Sequence, residues 1–376
     1  MASSDRPPLS PVSWLNTSFL AVVHAAGIGG TIAYFVMHGP SWSASVLALI
    51  WTGLTIFALS AGYHRLFSHK AYEAHPLLRG FLLAFGAGAF QNSALTWAAD
   101  HRRHHKRTDT AADPYDARQG FWHSHVGWVL RQTPPATQLH AVPDLEKDPL
   151  VMWQHRLYPL IGIVVGFLIP ALIGYALGDG WGGFVLGGLA RLVFVYHVTF
   201  SINSFAHMLG TQPYSDRSTA RDSFIAAMLS MGEGYHNFHH TFPADYRNGV
   251  HAHQFDPSKW LIRFFAYFGL ARNLKRTSAA IILRARLRMQ ARRLEAHAAC
   301  PSKRDRLVQM KARFEEHLAQ WHAVITRHEE ARAEKKRELL QRLRPELRRL
   351  QRHVRALQRD WDDLARSIEL NTTATG

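Results

Sequence analysis

The chain has 376 residues, 47% of them apolar, and a formal net charge of +16 with histidine neutral. A single cysteine, Cys300, excludes an internal disulfide framework, a cysteine-ligated iron–sulfur cluster and a four-cysteine zinc site. Residues 276–376 hold 24 Lys and Arg against 13 Asp and Glu, so an apolar front is joined to a basic tail, which suits neither a uniform soluble globule nor a disordered chain.

Residues 1–13 are polar and Pro-rich, and no cleavable signal pattern follows them. From Trp14 to Val36 the chain is nearly uncharged. After the turn His38-Gly39-Pro40-Ser41, a second apolar run extends from Trp42 to Tyr63. Leu157 to Leu177 and Trp181 to Phe205 form another pair, split by Gly178-Asp179-Gly180. Each run reaches the ~20 residues a bilayer requires. Two helical hairpins follow, with spans near 14–36, 42–63, 157–177 and 181–205. Arg191, inside the last run, is out of place facing lipid. The two turns carry no Lys or Arg, whereas 64–156 and 206–376 carry nearly all of them, which places these segments and both termini in the cytoplasm.

Leu77 to Ala98 is apolar enough for a fifth span. A single crossing there would put the histidine clusters on its two sides on opposite faces of the membrane. It is therefore assigned to a helix at the membrane surface or under the metal site. In the tail, Leu343, Leu347, Leu350, Val354, Leu357, Trp361, Leu364 and Ile368 form a heptad seam, and Leu307, Met310, Phe314, Leu318, Trp321 and Ile325 are spaced similarly. Pro345 suits the first turn of a new helix. The expected fold is all-α: four transmembrane helices with a cytoplasmic helical cap, and a coiled-coil-like C-terminal arm. Its segments are 1–13 (polar), 14–275 (membrane domain) and 276–376 (basic helical extension).

Twenty-four histidines are the compositional outlier. They cluster as His64-Arg65-Leu66-Phe67-Ser68-His69, His101-Arg102-Arg103-His104-His105 and His236-Asn237-Phe238-His239-His240. Positions i, i+3 and i+4 share a helical face, so His101, His104 and His105 converge, as do His236, His239 and His240. His64 and His69 are five apart and converge only if the helix ends or bends between them. Neutral imidazole is a ligand for iron, zinc and copper. Eight such nitrogens exceed the needs of one ion and suit a dinuclear site with few carboxylates.

These clusters resemble the three histidine boxes of the membrane fatty-acid desaturases, and their flanks resemble the Δ9 acyl-CoA (stearoyl-CoA) branch. The carrying motifs are the run His101 to Tyr115, the Gly120 to Trp128 segment with its Ser-His-Val-Gly-Trp, the Asn203 to His207 run, and Gly232-Glu233-Gly234-Tyr235 leading to Thr241-Phe242-Pro243. The resemblance covers 14–275. It implies nine histidines holding two iron ions. One ion takes His64, His69, His101, His105 and His239; the other takes His104, His207, His236 and His240, with Asn203 holding a water on it. It implies an acyl tunnel kinked at Trp97 and Thr199, with Gln91, Asn92 and Asp100 beside the substrate and a blind end near Ile56 and Thr52. Two basic positions that help bind coenzyme A in the family are not kept: Ala99 stands at one, and Leu130-Arg131-Gln132 offers a single arginine near the other.

The implied enzyme is an O2-dependent oxidoreductase that inserts a cis double bond, at Δ9, into a saturated acyl-CoA. The alternatives are phospholipid-bound acyl chains as substrate, or a related di-iron membrane hydroxylase or oxygenase. No haem-binding His-Pro-Gly-Gly and no cysteine set occurs in these residues, so the two electrons required per O2 are expected from a separate ferredoxin, rubredoxin or cytochrome b5 type protein. Membrane lipid is an expected partner and nucleic acid is not. The excess of Arg over Lys suggests a GC-rich bacterium, hence a bacterial inner (cell) membrane with a cytoplasmic active site.

Overall fold

The computed structural model of the chain describes residues 10–131, 142–297 and 301–373. Among the described residues, four helices are long and apolar enough to cross a membrane: α1 (Trp14–His38), α2 (Trp42–Ser68), α5 (Pro149–Ala176) and α6 (Gly180–Met208). Between the hairpins lie α3 (Pro76–Ala87) and α4 (Ala94–Arg107). After α6 come α7 (His236–Thr241) and α8 (Pro257–Tyr267). A two-residue antiparallel ribbon pairs β1 (Glu73–Ala74) with β2 (Ala271–Arg272). The contacts divide the chain into two compact units, Met1–Thr211 with Ser218–Arg276, and Gln212–Arg217 with Thr277–Gly376.

The spans differ in role. Burial within the unit is 56% for α2 and 61% for α6, but only 22% for α1 and 28% for α5, so the inner pair carries the site and the outer pair faces lipid. The outer faces present Leu15, Val22, Ile32, Val36, Leu160 and Leu172, a pattern expected where the solvent is hydrocarbon. Small residues bring α5 and α6 together: a Cβ added at Gly183 would stand 2.3 Å from the Pro170 carbonyl oxygen. Backbone approach of this kind drives helix packing in lipid, where apolar side chains gain little by leaving the bilayer.

Leu77–Ala98 is not a span. α3 has 12 residues, about 18 Å of helix against about 30 Å of hydrocarbon. The chain then breaks at Phe90 and Asn92, both with positive φ, and Ser93 caps α4 by accepting from the Thr96 N–H.

Arg191 is 2% exposed and faces the interior of the bundle. Its guanidinium donates to the carbonyls of Gly187, Gly166 and Gly88 and to Thr55 Oγ1, at 2.9–3.3 Å. Pro170 has no N–H to offer the Gly166 carbonyl four residues before it, so that oxygen is freed and Arg191 takes it. One side chain thus ties α2, the end of α3, α5 and α6.

The second unit is a bundle of α9 (Ala279–His297), α10 (Pro301–Ala333) and α11 (Arg337–Thr373). Leu287 and Leu294 of α9, Leu307, Phe314 and Leu318 of α10, and Val354, Leu357 and Trp361 of α11 share one core. The heptad seam is therefore satisfied inside the chain. Pro345 does not open a helix: α11 starts eight residues earlier, after Lys335 adopts positive φ and ends α10. Pro345 is tolerated inside α11 because the carbonyl it leaves unbonded, that of Gln341, belongs to an exposed residue.

Two outcomes follow. Arg191→Met strands the buried Gly166 and Gly88 carbonyls and should cost about 2 kcal/mol or more, seen as a lower midpoint when thermal unfolding in detergent is followed by size-exclusion chromatography. Deleting 277–376 should leave bound metal per inserted chain unchanged, because every histidine of the three clusters and its neighbours belong to the other unit; elemental analysis of the truncated protein checks this.

Candidate metal centre

All three histidine boxes lie at one end of the four-helix bundle, where α2 and α6 finish. Around the first box, residues 58–68 of α2 widen to π-helical i→i−5 bonding, and the His69 N–H donates to the His64 carbonyl at 3.1 Å. In that register residues five apart become neighbours. The two rings meet at 4.9 Å, and the helix ends directly after Ser68. The second box is the last two turns of α4 and the third is α7. Asp222 caps α7 by accepting from the Phe238 N–H at 3.0 Å. Burial pushes the Asp222 carboxyl up to about 7, against the N–H groups of Phe238 and Asn237.

The nine histidines form two sets, each with its nitrogens within 4.8 Å of one another: His64, His69, His101, His105 and His239, and His104, His207, His236 and His240. These are the same two sets as the resemblance implies. In boxes two and three the i and i+4 rings enter one set and the i+3 ring the other. On a helix i+4 lies about 40° to one side of i and i+3 about 60° to the other, so the two boxes straddle the sets.

Nε2 faces Nε2 at 2.9 Å for His64–His239, 2.8 Å for His69–His101 and 2.9 Å for His239–His105. In the other set, His104–His240, His207–His236 and His236–His240 stand at 3.2, 3.1 and 3.0 Å. Two imidazole nitrogens can share one proton, but His236, His239 and His240 each meet two neighbours this way. A cation resolves the conflict. Nitrogens at an ordinary metal–imidazole length of about 2.0–2.1 Å from one point lie about 3 Å apart when at right angles, the observed spacing.

The far sides of three of the rings are held. His64 Nδ1 is 2.6 Å from Glu233 Oε2, His104 Nδ1 is 2.8 Å from Asp113 Oδ1, and His207 Nδ1 is 2.8 Å from Thr219 Oγ1, which itself donates to Asp109. A carboxylate on Nδ1 keeps the proton there and leaves Nε2 with its lone pair toward the centre. Burial would raise the Glu233 carboxyl, but His64 and Arg65 outweigh it and hold it well below the usual range. Arg65 is itself fixed by Asp256 and the Tyr246 carbonyl, and Ser60 donates to Glu233. Burial, then repulsion from neighbouring rings, depresses His101, His105, His239 and His240 far below the ordinary imidazole value, so the ligand form is the neutral one.

Not every histidine cluster is a centre of this kind. His24, His197 and His125 run in a line, Nε2 to Nε2 at 3.3 Å and Nδ1 to Nε2 at 3.1 Å, ending on Ser204. Their nitrogens are spread along the line and do not converge.

A cavity of about 520 Å³ runs into the centre. Its lining includes the exposed Asn16 and Asn92 and the half-buried Arg131, and also His64, His101, His104 and His236. Gln91 Nε2 donates to Thr199 Oγ1 at 3.0 Å across it, and Trp97 stacks on His101 at 4.8 Å. Asp100 also lines it; burial pushes its carboxyl up to about 6, against the pull of Arg103. Asn203 lines it one turn before His207. Ile56 closes the lining along α2, and Thr52 takes no part: one turn further on, its hydroxyl is turned to the Ala48 carbonyl at 2.7 Å.

Residues 40–276 match the fatty acid desaturase family. The chain is 43% identical to a probable acyl-CoA desaturase of Schizosaccharomyces pombe, over 69% of this chain and 55% of that protein. It is 40% identical to acyl-CoA desaturase 1 of Saccharomyces cerevisiae, over 75% of this chain and 56% of that protein. Against stearoyl-CoA desaturase 5 of Bos taurus the identity is 36%, over 72% and 82%. The chain thus spans little more than half the length of the two yeast relatives. It belongs to the fatty acid desaturase family, as a multi-pass membrane protein. These relatives are eukaryotic, so the expectation of a bacterial inner membrane has no support; it rested on an Arg-to-Lys ratio, which reflects base composition and carries no information about compartment.

Sequence reasoning passed over Glu233 and Asp113 as orienting groups, although both sit in the motifs that carried the resemblance. Asp109 lies in the same His101 to Tyr115 run and was passed over too; Thr219 left no such signal. Glu233→Gln removes the anionic acceptor behind His64 and should weaken metal binding by about tenfold to a hundredfold. Dialysis against graded chelator, with metal counted per chain, measures this.

Proposed function

We propose that the chain is an O2-dependent fatty acyl desaturase that inserts a cis double bond, at Δ9, into a saturated acyl-CoA, with two iron ions held by the nine histidines. The observation that carries this is the lining of the cavity: Phe19, Leu20, Phe90 and Phe200 share its wall with His64 and His101 of one histidine set and His104 and His236 of the other. The names of the similar proteins, acyl-CoA and stearoyl-CoA desaturases, support the same reading.

When bound, iron supplies the O2-derived oxidising power that unactivated C–H bonds require. The rest is positioning by this chain. Phe19, Leu20, Phe90 and Phe200 give an acyl tail an apolar wall. The Gln91–Thr199 bridge and Trp97 bend the channel beside His101, so an extended chain cannot slide past and one C–C pair is presented to the centre. Asn203 is placed to hold a water near the set that contains His207. Removing one hydrogen from each of two adjacent carbons yields two electrons; reduction of O2 to two waters takes four. The remaining two come from a separate redox protein of ferredoxin, rubredoxin or cytochrome b5 type.

Expression in cells that lack unsaturated fatty acids, with product lipids analysed by mass spectrometry, tests the reaction. The expected product is two hydrogens lighter than its precursor, with the double bond nine carbons from the carboxyl end; a gain of one oxygen would show hydroxylation. His104→Ala and His239→Ala each remove a ligand from a different set and should abolish the product while the protein stays in the membrane.

Chain length is set where the channel closes. A tryptophan at 56 imposes about 1–3 kcal/mol of overpacking on a long tail. Ile56→Trp should therefore lower the C18-to-C14 product ratio by about tenfold without moving the double bond, as a mixed feed of C14, C16 and C18 chains will show.

A further inference from the structure

Along α11 the charge is sorted by length and by face. Residues 337–359 contain eight arginines, no lysine and two glutamates, whereas 360–373 contain one arginine and four acidic residues. Arg337, Arg344, Arg348, Arg355 and Arg359 recur at steps of seven and four, the helical return to one face. That face lies away from the seam of Leu343, Leu350, Val354, Leu357 and Trp361, which is buried. All five arginines are exposed. Among the described residues, α11 has a single ion pair, Arg366–Asp363 near its C-terminal end, and none of the five takes part in one. The stripe runs for about 33 Å of helix. Arg344 faces Arg348, and Arg355 faces Arg359, at the i,i+4 spacing where like charges repel.

We infer that this arginine stripe is a docking surface for the anionic phospholipid headgroups of the membrane that holds the chain. Three features favour lipid. The arm continues directly from a domain embedded in the bilayer, so tethering keeps it at high effective concentration near headgroups. Arginine forks match phosphate oxygens in pairs, which lysine does not, and the stripe contains arginine alone. The apolar residues of α11 are committed to the bundle core, which leaves a peripheral electrostatic contact without insertion, of the kind juxtamembrane basic segments make with anionic leaflets.

The full-length chain, with Cys300→Ser and a fluorophore on Gln351→Cys, is reconstituted in vesicles of phosphatidylcholine alone or with about 30 mol% phosphatidylserine, each containing an acceptor-labelled lipid. Energy transfer from the arm to the bilayer should rise with phosphatidylserine and be lost at about 0.5 M NaCl, where charges are screened within a few ångströms. The quadruple variant R344Q/R348Q/R355Q/R359Q should lower the transfer gained with phosphatidylserine by about tenfold, with helix content by circular dichroism unchanged, and R344K/R348K/R355K/R359K should retain part of it. Equal transfer in neutral and anionic vesicles would overturn the inference. So would a gain unaffected by the glutamine substitutions, or a stripe that ignores lipid and retains an acidic protein or nucleic acid.

Discussion

Nine imidazoles must keep their lone pairs aimed inward, uncharged, in a space only two metal sites wide. Burial, then repulsion from neighbouring rings, opposes protonation of His101, His105, His239 and His240. Opposite-sense aid comes from outside the ring of nitrogens: Glu233 behind His64, Asp113 behind His104, and the Asp109–Thr219 pair behind His207. Each holds a proton on the far nitrogen. The carboxylates need their own support in turn, which is why Arg65, inside the first box, is buried against Glu233 and Asp256. The widened register at the end of α2 meets the same constraint, since it allows two histidines five residues apart to serve one set.

The membrane imposes a second demand. A bundle in which α2, α5 and α6 widen to π-helical bonding and α5 carries Pro159 and Pro170 releases backbone carbonyls that lipid cannot solvate. Arg191 answers several of them at once, and its charge sits among carbonyl dipoles, with no carboxylate paired to it among the described residues. The stretch that reads as a fifth span is broken at Phe90 and Asn92 for a functional reason: the break places Gln91 across the cavity from Thr199 and starts α4 where its histidines reach the other boxes. Fold and site are thus the same set of backbone irregularities seen from two sides.

Much of this was legible in the chain. Four spans follow from apolar length, and the convergence of His101, His104 and His105 follows from spacing alone. The side on which all boxes fall follows from the parity of the spans. His207 was reached only by resemblance, because a single histidine at the end of an apolar helix carries no pattern. The His64–His69 pair pointed to an irregular helix without saying which kind, since π bonding has no residue signature. Thr52 was misplaced because spacing on a straight helix locates a face and not the depth at which a cavity closes; that depends on which side chains fill it from other helices. Pro345 was misread because the turn that ends α10 is made by Lys335, whose positive φ no propensity anticipates. The basic tail was recognisable as helical, but that its seam is consumed within its own bundle required the packing.

The central claim is that two metal ions share nine imidazoles without protein sulfur or a carboxylate ligand. Metal counting combined with X-ray absorption on the protein purified from iron-replete cells tests it most directly. The expected result is two irons per chain with a first coordination shell dominated by nitrogen at imidazole distances. One iron per chain, or a shell rich in sulfur or carboxylate oxygen, would contradict it.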